Sequence, residues 1–131
     1  MISFRIKYPE TDIGKKDWNK RYSLNAYYAG KHWMERKEDS NYWHWLSHSA
    51  LATQCRSIKM FEEPVTLEFN FNDSLDCSNH AAIAKMIEDS LRGIVIKDDS
   101  RKYVKQIILG FHEEDCIEVK VYPFTKGEID R

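Results

Sequence analysis

The sequence has few cysteines and no long apolar run. Its three cysteines, Cys55, Cys77 and Cys116, lie far apart and lack the paired spacing of a zinc site. We therefore expect reduced thiols inside a cell. Charged residues interrupt the apolar stretch near the N-terminus, which indicates neither a signal peptide nor a membrane span. These features predict a cytoplasmic protein that has no membrane partner.

An excess of positive charge is also absent. The chain has 20 basic and 21 acidic residues, so its net charge is -1. This balance excludes the broad positive field of a strong nonspecific nucleic-acid binder, and any basic surface must be local. No internal repeat, low-complexity tract or linker divides the chain. With 131 residues, of which 42% are hydrophobic, it can bury one core and is too short for two ordinary domains.

Alternation of apolar and polar residues predicts the strands. Residues 2–8 place Ile, Phe, Ile and Tyr on one side, and residues 65–71 place Val, Leu, Phe and Phe on one side. Two further strands are predicted at about 102–111 and 116–122. The loop at 110–115 then predicts a hairpin between these last two strands.

Two segments have the apolar spacing of helices. The run 41–60 lacks glycine and proline, and Ser40 precedes it as a candidate N-cap. A second helix is predicted from a cap at Asn79 to about residue 92, where Gly93 supplies a C-terminal stop. Both helices present an apolar stripe that must pack on a sheet or on each other.

The remaining segments are predicted to be irregular. Residues 9–21 mix proline, glycine, aspartate and basic residues with a single tryptophan, which indicates a mobile loop. Residues 124–131 have the composition of a charged, frayed tail. The order of elements predicts one compact α+β domain over residues 1–131, with a mixed sheet packed against two main helices.

The region from Asp76 to Asp99 contains the residues best suited to chemistry. Asp76 follows a strand, Lys85 and Asp89 lie on the second predicted helix, and Asp98 and Asp99 form an acidic pair after it. Two or three carboxylates brought together can hold Mg²⁺, which prefers oxygen ligands and keeps several waters. A lysine beside them can neutralise charge on a phosphoryl group.

Each of these residues also has an ordinary structural explanation. Asp76 and Asn79 are common turn and cap residues, and an acidic pair suits any solvated turn. Lys85 and Asp89 stand four apart, which on a helix surface gives a modest ion pair. Spacing alone therefore leaves the structural and the functional interpretations open.

Two stretches of the chain have a recognisable motif order. The motifs are Asp76-x-x-Asn79, Lys85-x-x-x-Asp89-x-Leu91, Gly93 and Asp98-Asp99, preceded by Ser23-x-Asn25-x-Tyr27. The first series resembles the central signature of the RusA family of Holliday junction resolvases, which are crossover junction endodeoxyribonucleases of phage and prophage type. The Ser-x-Asn-x-Tyr stretch resembles the segment with which that family follows its first strand. The resemblance spans about residues 3 to 122.

The resemblance implies an α+β homodimer that cuts four-way DNA junctions symmetrically in recombination, repair or phage DNA processing. It implies Mg²⁺ as the cofactor, with Mn²⁺ as a substitute. By position, Asp76 matches the family's first metal-binding aspartate, Asp99 the later one and Lys85 its essential lysine, so these three are the expected catalytic residues. Asp98 and Asp89 are candidates for additional metal ligands.

The mixture of aromatic and basic residues in the first half of the chain, together with the motif residues, suggests which residues contact DNA. We expect Asn25, Tyr27, Lys31, Asn79 and His80 to do so. Aromatic side chains can stack on exposed bases while basic side chains contact phosphates. The structural alternative for any single aromatic is packing in the core or at a dimer interface.

One position departs from the family motif. The usual motif is Asp-x-Asp-Asn, and Ser78 stands in place of the second aspartate. The spacing from Asn79 to Lys85 is also longer than usual, so an alternative register places Asn79 opposite the first aspartate. Either register loses a carboxylate, which weakens affinity for a hard divalent cation. Asp73, Asp89 or Asp98 could supply the missing ligand.

The missing carboxylate leaves two further interpretations open. One is a catalytically weakened homologue that acts as a noncatalytic DNA-binding or regulatory protein. The other is an unrelated, tryptophan-rich interaction protein, which would make the ordered carboxylates and lysine a coincidence. The resolvase interpretation accounts for more of the residues.

Overall fold

The fold is built on a four-stranded sheet with an apolar face that the helices cover. A computed structural model of the protein describes residues 1–125. The apolar side chains of the sheet and of the helices form one buried cluster. The elements are β1 (Ile2–Lys7), α1 (Asp12–Tyr22), α2 (Leu24–Tyr28), α3 (Trp33–Gln54), β2 (Val65–Phe71), a 3-10 helix (Cys77–His80), α4 (Ala81–Leu91), β3 (Val104–Phe111) and β4 (Cys116–Pro123).

The sheet is mixed, with the strand order β1-β4-β2-β3. β4 runs antiparallel to both β1 and β2, and β2 runs parallel to β3. The connection from β2 to β3 passes through the 3-10 helix and α4, as parallel strands require a long crossover. The described residues form one α+β domain with a mixed sheet, which confirms the predicted fold class.

The pairing register gives the sheet two chemically different faces. Phe4 lies opposite Val119, which in turn lies opposite Phe69, and all three are buried on the side of the helices. Arg5 lies opposite Glu118 on the other face, where the two side chains form an ion pair. The strict period of two in β1 and β2 produces this separation and explains why both strands were predicted correctly.

The prediction of a mobile loop at residues 9–21 is wrong. The structure has helix α1 there, and the Thr11 side chain caps its start by accepting a hydrogen bond from the Gly14 N–H. Trp18 and Tyr22, four residues apart, bury one face of this polar helix. Trp18 stacks on Trp43 of α3 with ring centroids 5.0 Å apart. Two aromatic anchors therefore hold a helix whose other residues are mostly polar.

Helix α3 begins and ends earlier than the predicted run 41–60. It starts at Trp33, where His32 accepts a hydrogen bond from the Met34 N–H, and Ser40 lies inside the helix. The early turns have little apolar periodicity. They are held instead by Asp39, a buried carboxylate that pairs with cations from the preceding segment.

The predicted hairpin at residues 110–115 is also wrong. β3 and β4 are consecutive in the chain, but both pair with β2, from opposite sides. The side chains of Ile117, Val119 and Val121 are completely buried, whereas Ile107 and Phe111 on β3 are about half exposed. The strand with the more deeply buried side chains, β4, therefore lies in the middle of the sheet beside β2, and β3 lies at the edge.

Helix α4 is confirmed, although Asn79 does not cap it. Asn79 belongs to the 3-10 helix that precedes α4, and its side chain accepts a hydrogen bond from the Asn25 N–H. Gly93 follows the helix with φ of 81°, a conformation that glycine adopts readily. The chain can therefore leave α4 sharply and return the acidic pair toward it.

The C-terminal segment was predicted to be a frayed tail over residues 124–131. Its part from residue 126 onward lies outside the described residues. The Phe124 N–H donates a hydrogen bond to the Pro64 carbonyl. Within residues 1–125, no helix is both long and apolar enough to cross a membrane.

Candidate functional site

Three carboxylates and one lysine converge where α4 meets the loop that follows it. Lys85, Glu88 and Asp89 share one side of α4 because they are three and four residues apart. The turn after Gly93 brings Asp99 to the same place. The Lys85 Nζ lies 2.7 Å from Asp99 Oδ2, 3.2 Å from Asp89 Oδ1 and 3.4 Å from Glu88 Oε1.

Electrostatic interactions shift the pKa values in this cluster. The hydrogen bond to Asp99 raises the pKa of Lys85, and the same bond lowers the pKa of the Asp99 carboxyl. Burial raises the pKa of Glu88, since its side chain is only 6% exposed. The negative charges of Asp99 and Asp89 raise this pKa further. Lys85 is therefore positively charged at neutral pH, and its charge partly compensates the negative charge of the three carboxylates.

The donor set suits a hard divalent cation. One carboxylate oxygen from each of Glu88, Asp89 and Asp99 lies within 4.8 Å of the others. Mg²⁺ is commonly held by a few carboxylates while waters complete its octahedral shell. Asp89 and Asp99 are partly exposed, so the cluster is open to solvent on one side. The residues present therefore fit the magnesium ion that the family resemblance implies.

Glu88 is the member of this cluster that the sequence did not single out. It has no counterpart in the motif that carries the resemblance, which moves directly from Lys85 to Asp89. The available signal was helical spacing, since Glu88 stands three residues after Lys85 and its side chain lies on the same side of the helix. Glu88 supplies a third carboxylate where Ser78 leaves the motif one short.

The structure does not bring every expected ligand into the cluster. Asp76 is exposed at the start of the 3-10 helix and is not part of the three-carboxylate group. The Asp98 side chain is half exposed. The Arg92 Nη1 lies 4.0 Å from Asp98 Oδ1 and 4.0 Å from Asp99 Oδ1. A role for Asp76 in metal binding stays a prediction.

Two of the expected DNA contacts are buried by structural interactions. The Lys31 side chain is 5% exposed and bonds to Asp39. His80 is completely buried, with its ring stacked on Phe71 at a centroid distance of 3.8 Å. Neither side chain can reach a phosphate in this conformation, so these two assignments are corrected. Their polar groups bond instead to carboxylates and to backbone carbonyl oxygens within the fold.

His80 belongs to a buried network centred on Asp73. Its Nε2 lies 2.7 Å from Asp73 Oδ1, and its Nδ1 lies 3.0 Å from the Cys77 carbonyl oxygen. The Tyr8 hydroxyl donates to Asp73 Oδ2 at 2.8 Å. Since Asp73 is occupied by these partners, it is not the replacement metal ligand that the sequence left open. The network fixes the chain between β2 and the 3-10 helix.

Asp73 makes the stability of the fold depend on pH. Burial acts to raise its pKa, but hydrogen bonds from His80 and Tyr8 outweigh this effect and the pKa is lowered. Its contribution is therefore complete above the unfolded pKa, about 3.9, and is lost as pH falls through the lower folded pKa. We expect Asp73→Asn to lower the free energy of unfolding by about 1–3 kcal/mol at neutral pH.

Urea denaturation of both proteins as a function of pH checks this expectation. The difference between wild type and variant should narrow as the solution becomes more acidic. A matched Asp76→Asn control, which alters an exposed aspartate of the same loop, should change stability little. A difference that stays constant down to the acid transition would contradict the assignment.

The two motif stretches that carry the family resemblance meet in space. The Asn25 N–H donates to Asn79 Oδ1 at 3.1 Å. The Tyr27 hydroxyl lies 3.3 Å from Asp39 Oδ2 and 3.3 Å from Met86 Sδ on α4. Helix α2 is therefore held against the start of α4, near the segment that leads to the carboxylate cluster.

The candidate site combines three carboxylates with Lys85 of α4. The Ser-x-Asn-x-Tyr stretch packs near the start of the same helix. No protein-family model, curated protein or solved structure matches this chain.

Proposed function

We propose that the protein is a magnesium-dependent, structure-specific endodeoxyribonuclease that cuts four-way DNA junctions. The observation that carries the proposal is the convergence of Lys85, Asp89 and Asp99. Motif order selected Asp76, Lys85 and Asp99 as catalytic residues and Asp89 and Asp98 as further ligands. Of these five, Lys85, Asp89 and Asp99 form one cluster, although Lys85 and Asp99 are 14 positions apart. An arrangement of acidic groups and a cation in one open site suits hydrolysis of a phosphodiester.

The carboxylates and the lysine have different roles in the proposed reaction. Glu88, Asp89 and Asp99 would hold the metal, and Mn²⁺ would be accepted in place of Mg²⁺ because both prefer oxygen ligands. When bound, the ion supplies Lewis-acid stabilisation of the phosphate and lowers the pKa of a bound water. Lys85 donates hydrogen bonds to a non-bridging phosphate oxygen, where negative charge develops. Arg92 adds a second positive charge beside the site, with its Nη1 4.0 Å from Asp99 Oδ1.

The remaining parts of the proposal come from the resemblance. Branched DNA is the proposed substrate, a second copy of the chain the proposed partner and the cytoplasm the proposed location. Paired, symmetric cuts need two active sites, which a homodimer would provide. Asn25, Tyr27 and Asn79 remain the proposed DNA contacts, and Asp76 remains a proposed ligand that would approach only in the complex.

A noncatalytic DNA-binding or regulatory protein is the alternative. It is favoured by Ser78, an exposed residue that brings no carboxylate to the site, and by a net charge of only -1. In this alternative, Lys85 serves permanently as the counter-ion of the carboxylates. The fold and any binding to junctions would persist without cleavage.

Cleavage of a synthetic mobile four-way junction tests the proposal. We expect paired nicks at symmetric positions with Mg²⁺ or Mn²⁺ and no nicks with EDTA. A linear duplex of the same sequence is the matched control for junction specificity and should remain intact. Binding measured by gel shift, without nicks in either metal, would replace the proposal with its noncatalytic alternative. If the protein neither binds nor cleaves the junction, both the proposed function and its noncatalytic alternative are refuted.

A further inference from the structure

The Lys85 ammonium already lies among the carboxylates that are proposed to hold a metal. It contacts one oxygen of each of Glu88, Asp89 and Asp99, at 2.7 to 3.4 Å. Oxygens of the same three groups lie within 4.8 Å of one another. A magnesium ion requires oxygens at about 2.1 Å, so it would need the space that the ammonium takes up. The two cations are therefore competitors.

We propose that Lys85 is an exchangeable counter-ion, which leaves the carboxylates when a divalent cation enters and then contacts a phosphate of the bound DNA. This inference rests on the proposed function, since it concerns the regulation of that same site. It assigns to one lysine two successive positions. In the first it neutralises the carboxylates, and in the second it neutralises the substrate.

The surroundings of Lys85 permit such an exchange. Its side chain is 56% exposed, so the ammonium can swing into solvent on its flexible stem without disturbing the core. The opposite side of α4 is fixed, because Ile83 and Ile87 are buried. The helix therefore keeps the Lys85 backbone in place while the side chain moves.

The carboxylates also require a cation at all times. Glu88 is nearly buried, and three acidic groups this close repel one another unless a positive charge lies between them. Lys85 meets this requirement in the absence of metal. A divalent ion meets it more completely, because it brings two charges and bonds directly to the oxygens. Release of Lys85 thus leaves no carboxylate without a counter-charge.

A titration with Mn²⁺, followed by loss of the electron paramagnetic resonance signal of the free aqua ion, tests the exchange without any DNA. We expect Lys85→Met to bind Mn²⁺ about tenfold more tightly than wild type, because a competing charge is removed. Lys105→Met is the matched control, since it deletes the same charge from an exposed position on β3. It should bind as wild type does.

Circular dichroism establishes that each variant is folded, and Lys85→Gln replaces Lys85→Met if the latter is not. As a second readout, the ¹⁵Nζ resonance of Lys85 should move on addition of Mg²⁺ toward the position of a solvated ammonium. Equal or weaker binding by the Lys85 variant, while wild type binds Mn²⁺, would overturn the exchange and leave the proposed metal site intact. No binding by any of the proteins would overturn the site as well.

Discussion

Asp99→Asn is expected to reduce the rate of junction cleavage by at least about hundredfold, the effect of removing one strong electrostatic contact from an active site. The substitution keeps the shape of the side chain and removes its charge. Asp99 accepts the shortest of the Lys85 contacts, 2.7 Å, and contributes one of the three carboxylates. Loss of this charge would therefore lower the affinity of the site for the metal. The measurement is the single-turnover rate of nicking at saturating protein and Mg²⁺.

Asp98→Asn is the matched control, because it makes the same change one residue away. The Asp98 side chain is half exposed, and Arg92 lies 4.0 Å away, so its loss should change the rate only slightly. Glu88→Gln should slow nicking as Asp99→Asn does. Asp76→Asn tests the role of metal ligand that the resemblance assigns to Asp76. Equal losses in Asp98→Asn and Asp99→Asn would contradict the assignment of the site to Asp99.

The strands that form the core could be predicted from the sequence, but their arrangement could not. A period of two identifies β1 and β2 because one face of each is buried and the other is polar. The same pattern does not say which strands are neighbours. A short connection favoured a β3-β4 hairpin, but β4 has Ile117, Val119 and Val121 fully buried and lies between β1 and β2.

The helices were predictable in proportion to their apolar content. Helix α4 was found because its apolar residues recur at helical spacing, whereas α1 was mistaken for a loop because Trp18 and Tyr22 are the only apolar side chains that it buries. The first turns of α3 were missed for a different reason. They are fixed by the buried carboxylate of Asp39, and sequence patterns do not reveal which polar residue will be buried with a partner.

The candidate site was predictable where motif order reflects helix geometry. Lys85 and Asp89 are four residues apart on one helix, and Asp99 follows after a glycine turn, so their convergence required only correct local structure. Glu88 was missed because it lies outside the motif. The burial of His80 depends on Asp73 and Phe71, which lie outside the motif and pack against it only in the folded chain.

Asp39 joins three helical segments through its buried carboxylate. Arg21 at the end of α1 lies 2.8 Å from its Oδ1, and Lys31 and the Tyr27 hydroxyl approach its Oδ2. The Asp39 side chain is fully buried and that of Lys31 is 5% exposed. Removal of the acid would therefore leave a lysine without a counter-charge in a place where water cannot replace it.

Asp39→Ala is accordingly expected to lower the free energy of unfolding by about 3–5 kcal/mol, the cost of leaving one partner of a buried ion pair uncompensated. Urea denaturation followed by tryptophan fluorescence measures this change, since Trp18 and Trp43 pack beside the affected helices. Glu38→Ala is the control, because Glu38 lies 3.8 Å from the same Arg21 with its side chain 73% exposed. It should cost under about 0.5 kcal/mol. If the two variants were equally stable, Asp39 would not be what holds α1 and α2 to α3, and the placement of Tyr27 against α4 would need another cause.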